Sequence, residues 1–147
     1  MLTQLVIVAA VAVVALAVGA IVQRRAPDVP TSPTQHTTPD QLDRSDFVRP
    51  DAPWLVVVFT SATCETCKKV WTATQLLESD EVATQNVEVV ENAELHERYS
   101  ITAVPAVVIA DAAGVSQASF LGPPTSSELW AKLAELRDQA DEQASES

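Results

Sequence analysis

Apolar positions along this chain fall into two kinds of run. Leu5 to Val22 is unbroken, with no charge and no proline. Later runs are short and alternate with stretches patterned for amphipathic helices. At 1.5 Å per residue, about 20 helical residues span a bilayer core of roughly 30 Å. Residues 1–22 therefore predict one transmembrane helix. The rival reading is a cleaved signal peptide with Val18-Gly19-Ala20 as the small-residue cleavage site. No Lys or Arg precedes the run and it is long for such a segment, which favours the retained anchor. Residues 23–37 carry Pro27, Pro30 and Pro33 among Thr, Ser and Gln, and read as an extended spacer. Thr34 to Thr37 suits an added edge strand.

The soluble part follows. Thr38, Pro39 and Gln41 form a capping-box pattern, predicting a short helix through Phe47 with Leu42 and Phe47 as its apolar contacts. Trp54 to Phe59 is apolar on both faces and β-branched, which suits a central strand covered on both sides. Cys64 to Glu78 places Cys67, Val70, Trp71, Thr74 and Leu77 on one helical stripe. Val87 to Val90 reads as the next strand, making a parallel βαβ unit. Glu94 to Tyr99 reads as a short helix. Ala106 to Ala110 and Val115 to Phe120 read as a hairpin around Asp111-Ala112-Ala113-Gly114. Thr125 or Ser126 caps a last helix with the stripe Leu129, Trp130, Leu133 and Leu136. The domain is predicted over 38–137, and residues 138–147 as an acidic disordered tail. The class is α/β.

Composition narrows the partners. The chain has 147 residues and a net charge of −11. That balance argues against nucleic acid and against electrostatic binding to anionic lipid. The length allows one small domain with appendages.

The chain's two cysteines, Cys64 and Cys67, stand in one C-x-x-C pair just after the first strand. A helix starting there puts Cys64 at its N-terminal end and Cys67 one turn on, on the same side. Backbone N–H groups and the helix dipole favour a thiolate on Cys64, and Cys67 is within reach to attack a mixed disulfide formed there. A zinc half-site is the alternative, but zinc takes four ligands and only His36 and His96 remain. Both histidines are expected in solvent. No metal is expected. Trp54, Trp71 and Trp130 read as core or rim packing, with Trp71 placed to shield the dithiol.

Strand, C-x-x-C-Lys at a helix start, and Tyr99 to Val104-Pro105 leading into a hairpin together resemble the thioredoxin family, over roughly residues 38 to 137. Gly122 before the last helix adds to the match. The resemblance implies a thioredoxin-like fold: a central mixed sheet flanked by helices, here preceded by one transmembrane helix. It implies a cis Pro105 lying against a Cys64–Cys67 disulfide. It also implies a substrate site at Thr63, Val104 and Pro105, where Val104 offers its backbone to the bound peptide. Cys64 would be the nucleophile and Cys67 the resolving thiol, with no cofactor beyond the redox-active disulfide. Partners would be protein dithiols and disulfides, and the domain would be a monomer. The chain looks like the single-pass, membrane-tethered members.

Several positions depart from the family pattern. Glu65-Thr66 replaces Gly-Pro, Thr63 replaces Trp, Val58 replaces a buried Asp, and Thr72 replaces a helix-kinking Pro. Glu65 beside Cys64 repels a thiolate, and Lys68 and Lys69 partly offset it. Glu65, Lys68 and Trp71 are thus the tuning residues, and a slow or specialised exchanger is expected. A redox-silent binding module of the same fold at the membrane is the competing reading. Arg24 and Arg25 flank the apolar run on its C-terminal side, so the positive-inside tendency places the domain on the cytoplasmic side, with the other side still open.

Overall fold

The computed structural model describes residues 38–146. The expected membrane helix at 1–22, the linker at 23–37 and the edge strand near Thr34 lie outside them. Among the described residues no helix is long and apolar enough to cross a membrane.

Among the described residues, four strands form one mixed sheet in the order β2-β1-β3-β4. They are β1 (Trp54–Thr60), β2 (Val82–Glu88), β3 (Ala106–Ala110) and β4 (Ser116–Leu121). β1 runs parallel to β2, with Trp54 opposite Val82 and Thr60 opposite Glu88. It runs antiparallel to β3, with Leu55 opposite Ala110 and Phe59 opposite Ala106. All seven residues of β1 are buried, as an apolar central strand covered on two faces must be. Alternation then sorts its side chains. Leu55, Val57 and Phe59 join Leu42, Phe47, Val87 and Val108 in one core. Trp54, Val56 and Val58 join Val70, Ile109, Leu129 and Leu133 in the other.

Among the described residues there are three α-helices: α1 (Glu65–Gln75), α2 (Ala93–Arg98) and α3 (Ser126–Ser145). Thr125 caps α3 in a full capping box with Glu128. Its stripe buries Leu129, Leu133 and Leu136, whereas Trp130, expected on that stripe, stands 45% exposed. Trp130 lies beside the stripe and reaches sideways to donate to the Ala73 carbonyl of α1 at 3.3 Å.

Three expectations are corrected. The helix at 38–47 is absent, although Leu42 and Phe47 are buried as read. Gln41 instead bridges Val115, and a 3-10 turn at Arg44–Asp46 is capped by Asp43, whose carboxylate takes the Ser45 N–H. The backbone of Asp40 and Leu42 pairs with Ser116 and Gly114, and those bonds compete with a helix. β2 begins at Val82, not Val87, because pairing with β1 holds the polar Thr84-Gln85-Asn86 in the sheet. Finally, α3 runs on to Ser145, through the stretch read as a disordered tail. Ala140 extends its apolar stripe against the second core, Arg137 pairs with Glu81, and Ala, Gln and Glu are good helix formers.

Candidate active site

The two sequence motifs leave the sheet at one end. β1 ends at Thr60, and the loop Ser61–Thr63 carries the chain to Cys64. Phe59 pairs with Ala106, so Pro105, the residue before it, sits at that same end. Pro105 is buried, its bond to Val104 is cis, and its carbonyl accepts the Gly122 N–H at 2.9 Å. The carboxyl ends of parallel strands are where open α/β sheets collect ligands.

Cys64 is the N-cap of α1, and its sulfur accepts the Cys67 N–H at 3.1 Å. The same N–H also meets the Cys64 carbonyl at 3.1 Å. The two cysteines are joined in a disulfide, with Cα atoms 5.2 Å apart. Their environments differ. Cys64 is half-buried at the helix start, while Cys67 is 1% exposed on the inner face. An outside reagent therefore meets Cys64 first.

The other predicted residues are distributed as follows. Thr63 is exposed, its hydroxyl 3.2 Å from that of Ser61. Val104 is half-buried against the first core. Lys68 donates to Glu65 at 2.6 Å, and both are largely in solvent. The bond to Lys68 holds the Glu65 carboxyl below its ordinary value. Lys68 thus neutralises Glu65 directly. Trp71 is half-buried and lines a cavity of about 110 Å³ whose wall includes Cys67. The position six residues before Cys64 is Val58, fully buried and apolar.

Two residues escaped the sequence reading. Glu88, at the end of β2, lines the Cys67 cavity. Its carboxylate accepts the N–H of Ala62 at 2.9 Å, of Val90 at 2.8 Å and of Glu91 at 3.0 Å. Those bonds, the one from Glu91 foremost, hold its carboxyl below the usual value. No motif announces it; its place at the end of the strand beside β1 is the only signal. Asn86 on the same wall accepts from the Thr60 hydroxyl at 2.7 Å. His96, expected in solvent, is buried: Nε2 lies 2.9 Å from the Val87 carbonyl and the ring meets Phe59 edge-on. No group of metal-ligating side chains occurs among the described residues. A larger hollow of about 800 Å³ opens beside Thr38–Gln41 and Tyr99, and neither cysteine lines it.

This architecture is the thioredoxin fold. The thioredoxin family model matches residues 35–135, and the chain belongs to the thioredoxin family. Among solved structures, it resembles the germline-specific thioredoxin Deadhead of Drosophila melanogaster at 26% identity, over 59% of this chain and 84% of that one, with TM-score 0.52. Fasciola hepatica thioredoxin is also 26% identical, over 58% of this chain and 83% of that one, with TM-score 0.51. A thioredoxin variant of Halobacterium salinarum shares the fold at 23% identity, over 63% of this chain and 88% of that one, with TM-score 0.51. No curated protein matches the chain. The family in general acts on protein disulfide substrates.

Proposed function

We propose that this domain is a protein thiol–disulfide oxidoreductase working through Cys64 and Cys67, tethered to a membrane by its N-terminal helix. The observation that carries the reading is the asymmetry of the pair. One sulfur is reachable and bonded to a helix-start N–H, and the other is buried behind it, 1% exposed. A thiolate on Cys64 gains that N–H and the positive end of the helix dipole.

In the reductive direction, Cys64 as thiolate attacks one sulfur of a partner disulfide. A Cys64–partner bond forms and the partner's second sulfur leaves as a thiolate, which takes a proton from water. Cys67, deprotonated, then attacks the Cys64 sulfur. The Cys64–Cys67 bond closes and the first partner sulfur leaves in turn. Two electrons pass to the partner. The opposite sequence oxidises a partner dithiol. Thr63, Val104 and Pro105 receive the partner backbone in this reading, and Glu65, Lys68 and Trp71 tune the pair. The disulfide is the only redox group required, and the domain acts as a monomer.

Insulin reduction by the full chain in detergent, with dithiothreitol returning electrons, tests this. Turnover in the wild type and its loss in Cys64→Ser are expected. An inactive wild type would leave a binding module of the same fold at the membrane. The tether rests on Leu5 to Val22, and Arg24 and Arg25 favour a cytoplasmic domain. Labelling a cysteine introduced on α3, in a background lacking Cys64 and Cys67, reports the side. Protection from an impermeant reagent added outside is the expected result.

A further inference from the structure

Cys67 must lose a proton before it can close the disulfide, and Val58 supplies no group to take it. What surrounds Cys67 instead is a cavity of about 110 Å³ at the end of β1 and β2. Two of the residues lining it carry charge, Glu88 and Lys68. Lys68 is already paired with Glu65 on the same helix. Among the described residues no cation is bonded to Glu88: its three hydrogen bonds come from backbone N–H groups of two loops. One of those loops, Ser61–Thr63, leads directly into Cys64. His96, the next titratable group along, bonds the Val87 carbonyl, and its charge also favours the Glu88 carboxylate.

We propose that Glu88 is a positioning residue of the dithiol site, pinning the loop that delivers Cys64 and setting a fixed negative charge on the wall beside Cys67 that disfavours the Cys67 thiolate. This rests on the exchange reading above. The bonds that hold its own carboxyl low keep Glu88 ionised at neutral pH. It is therefore a poor proton acceptor, and it repels a second anion in a half-buried setting where water screens incompletely. The consequence is a brake on resolution. Cys67 stays a thiol for longer, and a mixed disulfide on Cys64 lives longer before it is released.

The magnitudes fix the sign of the test. Removing the charge lowers the Cys67 pKa by about one unit, giving roughly tenfold more thiolate at neutral pH. A less basic thiolate is a weaker nucleophile, which takes back about threefold and leaves a net gain of about threefold in the closing step. A loop staple with no electrical role predicts the reverse, a slower step and an unmoved pKa.

The measurement is thiolate absorbance against pH on the full chain in detergent. Cys64→Ser isolates Cys67, alone and combined with Glu88→Gln. A Cys67 pKa about one unit lower with Glu88→Gln is expected. An equal or higher value overturns the proposal. Stopped-flow release of thionitrobenzoate from Cys64, with both cysteines present, should be about threefold faster in Glu88→Gln; a slower release also overturns it. Should Glu88→Gln fail to fold, Asn86→Asp adds a carboxylate to the same wall and keeps the acceptor for Thr60. It should raise the Cys67 pKa, and an unmoved value sinks the claim of wall charge. The titration needs no turnover. A flat result counts against Glu88, and an inactive wild type in the insulin assay counts against the exchange reading.

Discussion

The two ends of the central strand are closed by the same device with opposite signs. At the start of β1, Arg44 gathers carbonyls: Asp111 at 2.8 Å, Ala52 at 3.0 Å and Arg49 at 3.2 Å. At its finish, Glu88 gathers backbone N–H groups, one from the loop that leads into Cys64 and two from the loop that follows β2. Arg44 is 8% exposed, and burial pulls its guanidinium below the ordinary arginine value, with Asp111 and Asp51 opposing. Glu88 is half in water on the wall it shares with Cys67. One ionic side chain can therefore tie several loops at either end. The sealed end serves stability, and the wet end leaves a sulfur within reach.

The glycines make the same contrast sharper. Gly114 closes the hairpin at the sealed end with φ +82°, and a Cβ there would lie 2.0 Å from the Leu42 carbonyl oxygen. Gly122, at the dithiol end, also has positive φ, but nothing lies within 4 Å of its would-be Cβ. Gly114→Ala forces both a strained dihedral and a backbone displacement, so a loss of roughly 4 kcal/mol is expected. Urea denaturation reads it. A loss under about 1 kcal/mol would show that the 40–42 segment moves away cheaply.

Arg44→Met comes next. It removes a buried charge but takes a donor from three carbonyls, of which Arg49 keeps the Ala52 N–H and Asp111 keeps the Gly114 N–H, so roughly 2–3 kcal/mol should be lost. The Cys64 and Cys67 titrations should not move, because the site is at the other end of β1. A moved thiol pKa would break the comparison. Gly122→Ala should cost only about 1–2 kcal/mol, the dihedral strain alone. A cost equal to that of Gly114→Ala would mean that space at the dithiol end is as tight as at the hairpin.

The same contrast explains what the sequence made legible. β3 is found at Ala106–Ala110, as read, and β1 within a residue of its reading, because buried strands must be apolar throughout. The C-x-x-C pair at a helix start and the proline before β3 are chemical signatures that need no tertiary context. β2 was harder. It stands at the sheet edge and carries Thr84, Gln85 and Asn86, so the apolar pattern drew the reading on to Val87–Val90, where Val90 turns out 80% exposed. The helix expected at 38–47 had good local capping signals, and cross-chain pairing to Gly114 and Ser116 overrode them. His96 looked like a surface residue on a charged stretch. Only the fold brings it to the Val87 carbonyl and the Phe59 ring. Glu88 was invisible for a related reason: its bond to the Ala62 N–H joins segments that are remote in sequence until β1 and β2 pair.

The smallest effect concerns a second carboxylate that accepts a backbone N–H, at the start of α3. Glu128 accepts the Thr125 N–H at 2.8 Å and its hydroxyl at 2.7 Å, while Thr125 accepts the Glu128 N–H at 3.2 Å. The backbone bond from Thr125 comes first among the causes that hold the Glu128 carboxyl below its ordinary 4.5. A carboxyl lowered on folding contributes stability that is fully present above the unfolded value. That contribution fades as pH falls through the folded one. Glu88 and Glu128 both work in this direction, so the domain should weaken on acidification below about pH 4.5. Thr125→Ala should cost about 1 kcal/mol at neutral pH. It should also shrink, without abolishing, the difference between the urea midpoints at pH 7 and pH 3, since the hydroxyl's part of the Glu128 share is gone while the backbone N–H stays. Glu88→Gln should shrink that difference too, and at the dithiol end it should shift the thiol titration as well, which Thr125→Ala cannot do. If Thr125→Ala left the acid sensitivity whole, the Thr125 hydroxyl would be a contact without an ionic share. The comparison would then narrow to the two ends of β1.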